Sequence, residues 1–524
     1  MGMYLNPGNE GFARARKSRY VDKSKLLAHI NQTIDGSHNL LCISRPRRFG
    51  KSYAAQMLCA YYDKDCDSSH LFSDLAIAQD PTYQVYLNQY NVIYLDMTNI
   101  IGKTCASEMM DYIQASITKE ILAEYNVLQA GNSLDETLLN AVSLSGRKFV
   151  MIIDEWDAPL RERPEIEKDY LQFLRMLFKS SGTTARIFAA AYMTGILPIK
   201  KDGSESAISD FDEYTMLDPG EYQEFIGFTE EEVRKLCAEK DLDFKEAKRW
   251  YDGYSFDHFS SIYNPYSIMQ ALQRNRFKSY WRQSSAADAL EDYIKADFDG
   301  LFTSVLELLN GLEIPVYTES FNNDIRSVKS KDDVLTMLIH LGYLAYNADK
   351  GTVRIPNEEI RLEFAGSVRD VKNTESGKRL MESRKLIQDT VAMDAHTVAA
   401  EIERVHALIS SPIHYNNEQA LRCTIQIAYY AYVDEYIKFE ELPSGDGFVD
   451  VVFLPKRTSR LPALLIELKW NQAAEGAIGQ IKGKHYVDAL KDYGGEILLV
   501  GISYDRNDKE NKRKHSCVIE KYVL

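Results

Sequence analysis

The sequence predicts an α/β protein: a doubly wound parallel sheet with a phosphate-binding turn, a helical middle region, and a second α/β unit at the C-terminal end. Three observations carry that prediction. Asn39 to Ser52, NLLCISRPRRFGKS, runs a short apolar strand into a turn that ends Gly50-Lys51-Ser52 and then into a helical pattern. Phe149 to Glu155, FVMIIDE, is an apolar, largely β-branched run closed by two carboxylates, the pattern of a parallel strand buried on both faces. Ala463 to Trp470, ALLIELKW, is another buried-strand run, and its charges are confined to Glu467 and Lys469.

The first run reads as a nucleotide-phosphate site. Backbone N–H groups of such a turn and the N-terminus of the following helix point at anionic oxygens. Lys51 is placed to reach the β- and γ-phosphates of ATP, the Ser52 hydroxyl to ligate Mg2+, and Arg48, Phe49 and Gly50 complete the turn. A general P-loop has glycine five residues before Gly50, whereas this chain has Arg45, followed by Pro46, Arg47 and Arg48. Gly-Lys-Ser/Thr arises by chance roughly 0.3 times in a chain of this length, so the neighbouring strands decide. Phe149 to Glu155 has the form of a Walker B strand, in which Asp154 holds magnesium through water and Glu155 polarises the water that attacks the γ-phosphate. Asn91 to Asp96 (NVIYLD) reads as a further core strand. Ala185 to Thr194 (ARIFAAAYMT) reads as a fourth, with Thr194 placed to sense the γ-phosphate. Four strands with helical spacers put the ligand crevice at the strand C-terminal ends. The plain alternative is an ordinary βα turn and a core strand with a solvated Asp-Glu pair.

The C-terminal run carries the other chemistry. Gly447 to Phe453 is a strand bearing Asp450, followed by a turn with Pro455, Lys456 and Arg457 and then by Ala463 to Trp470. Glu467 and Lys469, two apart, project to one face, and Asp450 joins them if the two strands pair. Two carboxylates in that arrangement hold one or two magnesium ions that activate water against a phosphodiester, and the lysine orients or deprotonates that water. Glu418, on the helical stretch NNEQALRCTIQIAYYAY, offers another acidic ligand. Glu-x-Lys alone means little; the buried-strand setting and the preceding Asp450 raise it.

Between these parts, Phe211 to Asn373 shows helical patterns without a catalytic cluster. Its best-defined piece is a helix through Met337 and Leu338, then Tyr343 to Tyr346, a polar turn Asn347 to Gly351, and Thr352 to Ile355. Helix followed by hairpin fits a winged-helix module with Lys350 and Arg354 near the wing; packing against the ATPase part is the equal alternative. Tyr251-Asp252-Gly253-Tyr254 and Tyr263-Asn264-Pro265 read as aromatic-anchored packing turns. At 524 residues, 45% hydrophobic and 27% charged, the chain suits two or three globular domains. The longest apolar stretch, Ile187 to Ile199, is too short and too broken to span a membrane, and the N-terminus lacks the apolar core of a signal peptide, so no membrane partner and a cytoplasmic location are expected. The 7 cysteines are scattered, which argues against a disulfide framework or a zinc finger. A net charge of -15 excludes a surface coated for nucleic acid while leaving room for a local basic groove.

Several of these segments together resemble a known family. Tyr20-Val21-Asp22-Lys23-Ser24, RPRRFGKS, IIDEWDAPL at Ile152 to Leu160, Thr194-Gly195-Ile196, Leu341-Gly342-Tyr343-Leu344 and Ile355-Pro356-Asn357-Glu358 are similar to the bacterial AAA-ATPase-like family that is commonly joined to a C-terminal PD-(D/E)-x-K nuclease-like domain. In that family Arg45 is the usual residue, and Trp156 replaces a usual tyrosine. Gln480 and Tyr486 resemble the Gln-x5-Tyr element of some members of the nuclease superfamily. The resemblance implies a P-loop ATPase domain over 1–210, a helical lid with a winged-helix-like module over 211–373, and a restriction-endonuclease-like α/β domain over 374–524. It implies ATP and Mg2+ as cofactors, with Asp22, Lys23, Glu418, Gln480 and Tyr486 as accessory residues. The expected activity is ATP hydrolysis coupled to a magnesium-dependent nuclease whose partner is nucleic acid, DNA in the first instance; a homo-oligomer is compatible with it. The rival is a nucleotide-switched interaction protein whose nuclease-like domain docks a partner without cleaving it.

Overall fold

Leu40–Ser44 (β1), Asn91–Asp96 (β2), Phe149–Asp154 (β3), Phe188–Gly195 (β4) and Asp212–Tyr214 (β5) form one sheet in the order β2-β3-β4-β1-β5, and every pairing is parallel. The computed structural model describes residues 2–522 apart from 127–128, 180, 200, 203–204, 207, 209, 257, 282–292, 294–297, 324–327, 371–374, 410–417, 445–446, 457–458, 485–486, 488–489, 491–494 and 506–513. The chain divides into two compact units: residues 1–282 with 315–361, and residues 283–314 with 362–524.

In the first unit, β1, β3 and β4 are buried along their whole length, as their unbroken apolar runs require once helices cover both faces. The core joins Ile93, Leu95, Met151, Ile153, Ala191 and Met193 of the sheet to Ile113, Ile117, Leu138, Leu174 and Leu177 of the helices. β4 begins at Phe188, because Ala185 to Ile187 still belong to the helix Ser181–Ile187. β5, only three residues long, is a strand the sequence did not announce. Register lines up Asp96, Asp154 and Thr194 across three neighbouring strands, and Thr194 pairs with Ile43 on the next. The polar ends of the strands therefore form one row at the C-terminal edge.

The remainder of this unit is a smaller aromatic core of Phe228, Val233, Tyr251, Tyr263, Ile268 and Tyr280. Its helices are well specified: Glu230–Lys240 starts with a Thr229–Glu232 capping box, and Pro265–Arg274 has Asn264 as cap and proline in its first turn. The helix Lys331–His340 leads into an antiparallel hairpin of β6 (Ala345–Asn347) and β7 (Thr352–Arg354). Arg354 is turned inward there, donating to the Gly253 carbonyl at 2.8 Å and to Ser255 at 3.3 Å, whereas Lys350 is exposed on the turn.

The second unit is built on a mixed sheet of Tyr436–Ser444 (β8), Gly447–Pro455 (β9), Ala463–Trp470 (β10), Ile497–Tyr504 (β11) and His515–Tyr522 (β12), in that order. Only β10 and β11 run parallel. The helix Ala474–Gly483 between them buries Ile478 and Ile481 against Val452, Leu465 and Leu499, the covered-face arrangement that a parallel crossover demands. Among the described residues no helix is long and apolar enough to cross a membrane.

Candidate functional site

The phosphate turn is built from β1 outward. Gly50 caps the helix Lys51–Tyr62 with φ 99°, a left-handed conformation that glycine adopts without strain. Lys51 is 4% exposed. Its Nζ donates to the carbonyls of Arg45 and Pro46 at 3.1 Å each and lies 3.4 Å from Glu155 Oε1, so the lysine fills its own loop. Ser52 is exposed on the first helical turn, and its hydroxyl lies near enough to the Asp154 carboxylate to favour the charged form.

Arg45 has a structural occupation. It is fully buried and donates to the carbonyls of Ser44 (3.0 Å), Tyr214 (3.3 Å) and Thr215 (2.9 Å), clamping the end of β1 to the end of β5. Burial lowers its guanidinium to about 10. Phe49 packs edge-on against Tyr254, with centroids 5.3 Å apart, and the Tyr254 hydroxyl donates to the Gly342 carbonyl at 2.5 Å. Arg48, at φ 70°, donates to the Tyr280 carbonyl and stacks over Tyr266 at 4.6 Å. The aromatic turns thus serve as a mould for the phosphate loop, which lacks the usual leading glycine. Asp22 accepts from the backbone of Ser24 and Ala76. Lys23 bonds the Glu224 carbonyl at 2.6 Å and Glu232 at 2.7 Å.

Opposite the turn, Asp154 is 3% exposed, and burial, with the charges of Glu155 and Asp96 adding, raises its carboxyl to about 6 against the opposing pull of Ser52 and Lys51. Its Oδ1 is enclosed and, among the described residues, has no hydrogen-bond partner. A carboxylate oxygen so placed, with a hydroxyl beside it, fits a hard divalent cation. Glu155 leaves the strand at φ 53° and is held between Lys51 and Arg161, whose Nη2 is 3.3 Å away. Thr194 Oγ1 donates to the Ile43 carbonyl at 3.0 Å, so its hydroxyl also joins β4 to β1.

Asp157 and Arg161 are residues that sequence reasoning passed over, although their i,i+4 spacing in IIDEWDAPLR was a usable sign. Asp157 accepts Arg161 Nε at 2.8 Å and the backbone N–H groups of Ile196 (3.2 Å) and Leu197 (3.1 Å), fixing the loop after β4. Gly195 leaves the room for this. A Cβ there would meet Asp157 Oδ1 at 2.6 Å and Trp156 Cδ1 at 2.7 Å. Gly195→Ala should therefore cost about 1–3 kcal/mol, read as a lowered urea midpoint.

In the second unit, β9 and β10 pair antiparallel and bring Asp450, Glu467 and Lys469 together. Asp450 Oδ2 accepts the Leu468 N–H at 2.9 Å, and Oδ1 is ion-paired to Arg422 at 2.6 Å. Glu467 is 2% exposed. Its Oε1 takes Lys469 Nζ at 3.3 Å and the Gln480 amide, and Lys469 is held by Gln480 Oε1 at 2.6 Å. Among the described residues the enclosed Glu467 Oε2 has no hydrogen-bond partner, again an oxygen suited to a cation. Glu418 is exposed one turn before Arg422, and Tyr486 lies outside the described residues. Arg422, which no sequence pattern marked, reaches Asp450 from the helix Glu418–Ala428.

Burial, with the Asp450 charge adding, raises Glu467 from 4.5 to about 7. The folded chain therefore keeps a proton that the unfolded chain releases, so this group's contribution to stability is full below pH 4.5 and is lost as pH rises through about 7. Glu467→Gln should flatten that dependence. At mildly alkaline pH without metal it should stabilise the protein by on the order of 2 kcal/mol, measured by urea unfolding across pH.

A parallel α/β sheet with a phosphate turn and an acidic pair at its C-terminal edge is the P-loop ATPase-like fold. Residues 9–204 match the AAA-ATPase-like family model, described as a predicted AAA-ATPase. The chain is 22% identical over 530 residues to an uncharacterized protein in the vnfD 5′ region of Azotobacter chroococcum, covering 96% of each. Similar solved structures include the Walker-type ATPase of Pyrococcus abyssi (13% identity, 66% of this chain and 94% of that one, TM-score 0.32). Another is the Aeropyrum pernix ORC1 protein in complex with DNA (10% identity, 71% and 98%, TM-score 0.25).

Proposed function

We propose that the chain is a bacterial, cytoplasmic ATPase whose nucleotide cycle controls a magnesium-dependent nuclease acting on DNA. The observation that carries this reading is a repeated one: each unit holds a buried carboxylate with one oxygen that has no hydrogen-bond partner among the described residues, Asp154 Oδ1 and Glu467 Oε2, beside the groups that phosphate chemistry needs. Magnesium, when bound, supplies positive charge to phosphate oxygens and an acidified water.

In the first unit the N–H groups of Gly50 to Ser52 bind phosphate oxygens, and Lys51 exchanges the carbonyls of Arg45 and Pro46 for the β- and γ-phosphates. Ser52 and Asp154 hold the cation, Glu155 accepts a proton from the attacking water, and Thr194 contacts the γ-phosphate. In the second unit Asp450 and Glu467 hold the cation, and Lys469, steadied by Gln480, orients water toward the scissile phosphorus.

A second reading is favoured by one observation. Asp450 has both oxygens engaged, by Arg422 and by the Leu468 N–H, which suits a domain that binds a partner without cutting. Incubating the protein with plasmid, linear and single-stranded DNA, with magnesium or manganese and with or without ATP, separates the two. Cleavage that needs Glu467 supports the nuclease; no cleavage of any substrate supports the docking protein.

A further inference from the structure

Glu403, His406 and His515 stand together in the second unit and share no residue with either carboxylate site. Glu403 and His406 are three apart on the helix Ala395–Ile409, hence on one face a turn apart, and His515 opens β12. One ligand atom from each lies within 4.8 Å of the other two. His515 Nδ1 is 2.6 Å from Glu403 Oε2, and the same oxygen accepts the backbone N–H groups of Lys514 (3.1 Å) and His515 (3.0 Å). The two imidazole rings are 5.0 Å apart, and Tyr504 packs on both at 5.3 and 4.9 Å. The three side chains are therefore held in place from several directions before any ligand arrives. The His515 side chain is fully enclosed while Glu403 keeps 32% of its side chain exposed, which leaves an approach from the carboxylate side.

We propose that Glu403, His406 and His515 bind a divalent cation of the zinc class, stapling β12 to the helix Ala395–Ile409. Two imidazoles and one carboxylate are the donor set of a borderline-soft ion, whereas magnesium asks for oxygen ligands and keeps its waters. The site is thus chemically unlike the carboxylate positions at Asp154 and at Asp450 with Glu467. Three protein ligands leave a tetrahedral ion one position for water. Tyr504, which faces both histidines, also stacks on Trp470 at 4.8 Å. The ion braces the end of the strand pair that carries Lys469.

The test uses the full chain without a histidine tag, stripped with chelator, titrated with Zn2+ and with Co2+, and assayed for zinc retained after gel filtration. Wild-type protein should retain a single zinc per chain, give a visible ligand-field band with Co2+, and unfold at a higher temperature with zinc. Glu467→Ala should leave all three unchanged, because its ligand set is separate. His406→Gln, at a half-buried position, and Glu403→Gln should each weaken zinc binding by roughly a hundredfold or more, with circular dichroism showing that both remain folded. If wild-type protein retains no zinc, or if His406→Gln binds it as tightly as wild type, the cluster is a hydrogen-bonded packing of His515 and the proposal is overturned.

Discussion

Lys51→Ala is expected to weaken ATP binding by on the order of a hundredfold, about 3 kcal/mol, the scale of a charge-assisted contact to phosphate. The same change strips a donor from the carbonyls of Arg45 and Pro46 and a cation from Glu155, so the loop should also lose order. Glu155→Gln should behave differently. The hydroxyl of Ser52 and the carboxylate of Asp154 remain, so nucleotide binds as before, while turnover falls by roughly a hundredfold or more with loss of the proton acceptor. Calorimetry with ATP and magnesium, followed by phosphate release, distinguishes these outcomes. Absence of ATP binding by the unaltered protein at millimolar nucleotide sinks the ATPase reading, with Arg45 as the disabling residue.

Asp450→Ala and Glu467→Ala are expected to lose both magnesium binding in the second unit and DNA cleavage, because each removes a carboxylate that the cation needs. Lys469→Ala should keep the metal and lose cleavage by roughly a hundredfold or more, the scale of an orienting or general-base group. All three should hydrolyse ATP as the unaltered protein does, since each compact unit holds its own residues. Equal digestion of DNA by wild-type and Glu467→Ala proteins removes the catalytic claim and leaves the docking reading.

Much of this arrangement was legible because two of its strands are long, apolar and bounded by polar residues. Asn91 to Asp96 and Ala463 to Trp470 coincide with β2 and β10 residue for residue. The hairpin after Met337 and Leu338 also fell where its polar turn placed it. Ala185 to Ile187 misled because an apolar run does not distinguish the last turn of a helix from the first residues of a strand. Asp212 to Tyr214 was invisible, being three residues long with two carboxylates; it is a strand only because β1 pairs with it. Arg422 was missed for a different reason. A long cation becomes meaningful through the partner it finds, and Asp450 is 28 residues from Arg422 in the chain. The role of Arg45 likewise depends on carbonyls beyond residue 213.

The interleaving of the two units bears on how the molecule can be dissected. Residues 283–314 belong with 362–524, while the intervening 315–361 belong with the first unit. A fragment begun at residue 374 therefore omits the helix Leu301–Leu309, whose Phe302, Val305 and Leu308 are buried. Phe302 lies edge-on to Tyr430 at 6.3 Å, and Asn310 is approached by Lys438 at 3.4 Å. Cutting the gene at the apparent boundary would expose that apolar surface to water and yield an aggregating piece; a soluble C-terminal fragment must carry residues 283–314 spliced to 362–524.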